Sequence, residues 1–204
     1  MGRLSRLTLS VIAVLGLGLA ACHKDVGSGS MADDMSLGNP NAKVTVIEYA
    51  SASCPHCARF NNEVFPAFKA KYIDTGRIHY IFREFTTPPV QFAAAGFLTA
   101  RCAGKDKYFS VLDAIYHDQA AIYQSGDLRG GLLRIAQSAG MTEQQFNDCI
   151  ANPDALKALN DRVEKAQDQD HIEGTPTFVI NGKQTGSGEM TLPQLDAAIQ
   201  AAGG

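Results

Sequence analysis

The sequence predicts an α/β domain in which a block of helices interrupts a β-sheet. Three features carry that reading. Residues 42–50 and 77–85 are alternating, β-branched runs, residues 90–169 keep a helical period throughout, and "TPTFVING" then returns to strand character.

Taken in order, "AKVTVIEYA" (42–50) is a strand ending near Tyr49. From Pro55 onward Phe60, Val64, Phe65 and Phe68 recur at helical spacing, so Cys54 falls where a strand gives way to the first turn of a helix. "RIHYIFREF" (77–85) is the second strand, closed by Pro88-Pro89, and the unit is β-α-β. In the block that follows, Tyr108, Val111, Leu112, Ile115 and Tyr116 mark one amphipathic helix. Leu156, Leu159, Val163 and Ala166 mark another, which begins just past Pro153. Thr142 and Gln145 have capping-box spacing ahead of Phe146, Cys149 and Ile150. "TPTFVING" then runs a strand into an Asn181-Gly182 hairpin turn, and Thr191 through Ala201 form a closing helix. There are no internal repeats.

Compartment decides how cysteines are read, and the N-terminus speaks to compartment. Arg3 and Arg6 precede an apolar run from Leu9 to Ala21, which has the length of a signal-peptide core and falls short of a membrane span. The run closes on Leu19-Ala20-Ala21-Cys22, which resembles the lipobox of bacterial lipoproteins. Residues 1–21 are then a signal peptide and Cys22 is lipidated as the first mature residue. Ordinary cleavage after a small residue, with Cys22 incidental, is the plainer alternative. Residues 22–42 hold Gly, Ser, Asp, Asn and Pro without an apolar period and are expected to form a flexible tether. That leaves 43–202 as one domain, with the helical insert at about 88–170. The expected location is the periplasm, with the membrane reached through the lipid anchor. Formal charge is −3 and becomes −5 when Arg3 and Arg6 leave with the signal, so there is no basic surface for nucleic acid.

Cys54-Pro55-His56-Cys57 is where the chemistry concentrates. Residues three apart on a helix share a face, with Cβ atoms about 5–6 Å apart, which lets two sulfurs close a small disulfide reversibly. Cys54 sits at the N-terminus of the helix, where unsatisfied N–H groups and the positive end of the dipole stabilise a thiolate, so it is expected to be the nucleophile. Pro55 suits the first helical position, where its missing N–H is not needed. His56 offers a donor, or a charge when protonated, beside the thiolate. Cys57 lies deeper and suits the resolving role. A zinc site needs a second pair of ligands, and no such pair follows, since Cys102 and Cys149 are isolated. A purely structural disulfide would close too small a loop to restrict the unfolded chain much.

"EYASASCPHC", a helix, a strand, a helical insert and "GTPTFVING" together resemble the DsbA-type thiol oxidoreductases of the thioredoxin fold, over nearly all of residues 43–202. The resemblance implies a thioredoxin fold with an inserted helical subdomain and no cofactor. It implies a cis Thr175-Pro176 bond facing the active-site cysteines, with backbone there free to bind an extended client segment. Glu48 matches the position of a buried acid that moves protons to and from Cys57. An exposed strand residue is the alternative, and Arg83 is the candidate cationic partner. Some relatives carry a second disulfide in the insert, and two cysteines in one exported subdomain tend to join, so a Cys102–Cys149 bond is expected over two free buried thiols.

The function this predicts is donation of disulfides to exported client proteins with free thiols, with a membrane quinone-linked protein reoxidising the couple. The alternatives are a disulfide isomerase or reductase, since Thr before the cis-proline also occurs in isomerases, and a carrier that binds Cu(I) through the two thiols. Isomerases of that type dimerise through an extra domain, for which residues 23–42 are too short, so a monomer is expected.

Overall fold

A computed structural model of the protein describes residues 31 and 33–204. The proposed signal peptide and Cys22 lie outside the described residues. Five strands form one sheet in the order β1-β3-β2-β4-β5. They are β1 (Met35–Gly38), β2 (Val44–Ala50), β3 (Ile78–Glu84), β4 (Thr177–Ile180) and β5 (Lys183–Ser187). β2 and β3 run parallel, with Glu48 opposite Phe82 and Tyr49 opposite Arg83, while β1, β4 and β5 add antiparallel edges.

β1 corrects the reading of 22–42 as tether for the part from Asp34 onward. Met35 is buried in the core and pairs with Phe82, and the Asp34 carboxylate just before it takes the Arg83 guanidinium at 3.1 Å. Four residues ending in Gly38 and followed by Asn39 and Pro40 leave too short an apolar pattern to stand out from their polar surroundings.

The crossover between β2 and β3 is a broken helix. Its α-helical parts, α1 (Pro55–Arg59) and α2 (Phe65–Phe68), alternate with π-helical turns at Phe60–Val64 and Lys69–Ile73. Pro66 brings no N–H to the ladder, and the Phe65 N–H bonds back to the Phe60 carbonyl, one residue further than in an α-helix. The insert consists of α3 (Val90–Cys102), α4 (Tyr108–Ser125), α5 (Leu128–Ser138), α6 (Glu143–Ile150) and α7 (Pro153–Asp168), and α8 (Leu192–Ala201) closes the chain. Thr142 and Gln145 form both bonds of a capping box at the start of α6, 3.1 and 2.8 Å long. Asn181 and Gly182, both at positive φ, make the tight β4–β5 turn. Cys102, at the end of α3, is joined to Cys149 on α6.

The sheet is covered on both faces. Val44, Val46 and Ala50 point into the main core with Phe60, Phe68 and Tyr80, while Ile47 and Tyr49 pack the other face with Ile81, Phe85, Ile172 and Val179. β2 therefore lies at the centre of a two-sided core, and from Val46 to Ala50 every side chain on it is buried. Among the described residues no helix is long and apolar enough to cross a membrane.

Candidate active site

Cys54 is the N-cap of α1 and Pro55 its first helical residue, so the sulfur stands at the open end of the helix and receives the Cys57 N–H at 3.4 Å. The two thiols are free, Cys54 6 % exposed and Cys57 fully buried, so only Cys54 meets solvent. Opposite, the Thr175-Pro176 peptide bond is cis, and the Cys54 thiol donates to the Thr175 carbonyl at 3.4 Å. Among the described residues the Thr175 hydroxyl, buried, has no hydrogen-bond partner in this dithiol form.

The two sulfurs are electrostatic opposites. Cys54 is lowered to about 5, chiefly by the hydrogen bond from the Cys57 thiol, with burial opposing, and with help from the Thr175 side chain, which can donate once Cys54 is a thiolate, and from the Cys57 and His56 amides. Cys57 is pushed well above the ordinary thiol range, first by burial and then by its neighbour Cys54 and by Glu48. The imidazole expected to stabilise the thiolate points elsewhere: His56 Nδ1 bonds Glu189 Oε1 at 2.5 Å, and His56 helps Cys54 through its backbone amide.

Glu48 is buried at 3 % exposure, because β2 is covered on both faces. Tyr80 donates to its Oε2 at 2.6 Å, and burial raises its carboxyl to about 8. Arg83 is not its partner. The parallel register places Arg83 beside Tyr49 on the far face of the sheet, where it bonds the Tyr49 hydroxyl at 2.8 Å and pairs with Asp34 and Asp170. A raised acid has a consequence for stability. Between pH 4.5 and about 8 the folded protein holds a proton that the unfolded chain releases, so stability falls as pH rises through that window and levels off above it. Glu48→Gln, which keeps an acceptor for Tyr80, is expected to remove that slope and to stabilise the dithiol protein by about 4 kcal/mol at pH 8, with the two proteins converging near pH 4. Urea melts of both at several pH values check this.

The insert builds the rear wall of the site. Gln119 Nε2 donates to the Ala52 carbonyl at 2.8 Å and Tyr123 to the Ser53 carbonyl at 2.9 Å, both from α4. Ser53 Oγ donates to the Thr87 carbonyl at 2.6 Å and ties the cysteine loop to the chain leaving β3. Sequence reasoning missed Gln119, Tyr123, Tyr80 and Glu189. For the two on α4 a signal existed: the stripe through Ile115 and Tyr116, continued one turn, meets Gln119 and then Tyr123. Glu189 has no local signal, because its partners are 133 and 130 residues away.

A thioredoxin family model (Thioredoxin_4) matches residues 30–201. Among curated relatives, the putative protein-disulfide oxidoreductase of Rickettsia bellii is 34 % identical over 83 % of this chain and 64 % of its own length. The corresponding protein of Rickettsia conorii is 36 % identical over 83 % and 60 %. The chain thus spans about three fifths of the length of these relatives. Among solved structures, α-DsbA1 of Wolbachia pipientis superposes with a TM-score of 0.77 at 29 % identity, over 85 % of this chain and 92 % of that one. The chain belongs to the thioredoxin family, in its DsbA-type branch.

Proposed function

We propose that the protein is an exported dithiol oxidase that passes the Cys54–Cys57 disulfide to client proteins with free thiols. The observation that carries this reading is the contrast between the sulfurs, one held down to about 5 and still touching solvent, the other pushed up and fully closed off. In the oxidised protein a client thiolate attacks the Cys54 sulfur, the Cys54–Cys57 bond breaks, and Cys57 leaves and takes a proton. Glu48, protonated near neutral pH and felt electrostatically by Cys57, supplies that proton in this reading. A second client thiolate then attacks the client's own sulfur in the mixed disulfide and expels Cys54 as a thiolate. Two electrons have moved from client to protein; the client's two thiol protons went to solvent as its thiolates formed, Cys57 holds the proton given by Glu48, and Cys54 remains a thiolate. Cys54 is a good leaving group because its thiolate is stable, which drives the transfer forward.

His56 and Pro55 shape the mouth of the helix, and Thr175 and Pro176 face the sulfur across it, with the Thr175 hydroxyl available to donate to a thiolate there. The names of the relatives support protein-disulfide exchange as the reaction class. A quinone-linked membrane protein would reoxidise the couple, and a lipid on Cys22 would keep the domain beside it. Fatty-acid labelling that persists in Cys22→Ala would remove that anchor from the reading.

The test offers the purified domain two forms of one multi-cysteine substrate, reduced and wrongly paired. An oxidase rapidly oxidises the first and barely unscrambles the second, since a single domain has no second site to hold a misfolded client. Efficient rescue of the scrambled form by a dimeric protein would establish an isomerase instead.

A further inference from the structure

Glu189 belongs to none of the sequence motifs, yet it joins the two halves of the site. It lies in the loop between β5 and α8. Gly188, at φ 105°, turns the backbone there in a conformation that favours glycine, and its N–H donates to the Pro176 carbonyl at 2.7 Å. The loop is thus pinned to the cis-proline segment. From that fixed point the Glu189 carboxylate reaches across to α1, where Oε1 takes His56 Nδ1 at 2.5 Å and Arg59 Nη1 at 3.0 Å.

The consequence concerns what His56 does not do. An imidazole beside a thiolate stabilises it by donating a hydrogen bond or by carrying charge. Here, among the described residues, the only hydrogen bond of the His56 side chain goes to Glu189, and the imidazole makes none to Cys54. We propose that Glu189 is a positioning residue that holds the His56 imidazole away from the Cys54 sulfur and so restrains the oxidising power of the couple. The proposal rests on the reading of Cys54 and Cys57 as the working pair. With the carboxylate gone, His56 is free to turn toward Cys54, the thiolate gains a donor, and the reduced form is favoured. Arg59 is released by the same change, so the test must separate the two cations.

The experiment equilibrates the purified protein with glutathione buffers and measures the reduced fraction of wild type, Glu189→Ala, Glu189→Gln, His56→Ala and the His56→Ala/Glu189→Ala double variant. Glu189 is partly exposed and sits in a loop, so these variants leave the core intact. Glu189→Ala is expected to shift the equilibrium toward the reduced protein about two- to fivefold, in line with a partly exposed ion pair. That is a rise in reduction potential of about 10–20 mV. Glu189→Gln keeps an acceptor for Nδ1 and should shift it less, in the same direction. In the His56→Ala background the loss of Glu189 should leave the equilibrium where it was. No shift in Glu189→Ala, a shift toward the oxidised protein, or the same shift with His56 absent would overturn the proposal. Failure of the wild type to exchange with glutathione at all would instead overturn the reading of the cysteine pair, and this inference with it.

Discussion

Cys57→Ser is expected to accumulate covalent mixed disulfides with client proteins, and Cys54→Ser to form none and to reduce disulfide transfer to background. The prediction follows from exposure and from protonation together. Cys54 is the sulfur that reaches the surface and the one whose thiolate persists at neutral pH, at about 5. Cys57 is closed off behind it, and its thiol is pushed up chiefly by burial. A client therefore meets Cys54 first, and release then depends on Cys57 or on a second client thiol. Removing Cys57 leaves one of the two exits, so adducts outlive the reaction and appear as slow bands on non-reducing gels. Equal adduct formation by the two variants would reverse the assignment of nucleophile and resolver.

Removing the Cys102–Cys149 bond should give the largest loss of stability for any change distant from the site. The bond closes a loop across a separation of 47 residues and ties the end of α3 to α6, two helices of the insert. Confining the unfolded chain over such a loop is worth about 4 kcal/mol in the chain-entropy model. Changing both cysteines to Ala avoids leaving a reactive single thiol. The double variant should lose about 2–4 kcal/mol and melt roughly 10 °C lower than the wild type with the Cys54–Cys57 pair in the same redox state. Disulfide transfer at room temperature should stay near that of the wild type, because α3 and α6 contribute no group to the sulfur site. Unfolding in urea measures the first effect and a transfer assay the second. Peptide mapping without reductant that found Cys102 and Cys149 free in exported protein would show that the bond does not form there.

The parts of the fold that the sequence made legible were those with local causes. The run from Val44 to Ala50, the cap at Thr142 and Gln145, and the Asn181-Gly182 turn each fix their own backbone through side chains a few residues away. Cys54 at a helix start was readable for the same reason, since Pro55 marks the first turn. Edge strand β1 was missed because its few residues pair with β3 across the chain and show no run of their own. Burial of Glu48 could not be read either. It depends on β2 lying at the centre of the sheet with helices on both faces, which is a property of topology, and the same parallel register carried Arg83 to the opposite face. His56 illustrates the limit within the site itself. Its neighbours in sequence point to Cys54, whereas its hydrogen bond goes to Glu189, on a loop 133 positions further along.

The reduction potential of the Cys54–Cys57 pair tests most directly whether the protein gives disulfides away. A thiolate stabilised to about 5 favours the reduced protein, so its disulfide should be unstable relative to the dithiol. Equilibration with glutathione should place the couple above about −200 mV, on the oxidant side of the scale, and the reduced protein should resist denaturant better than the oxidised one. A value near about −270 mV, where thioredoxin lies, would make the pair a reductant and refute its role as a disulfide donor.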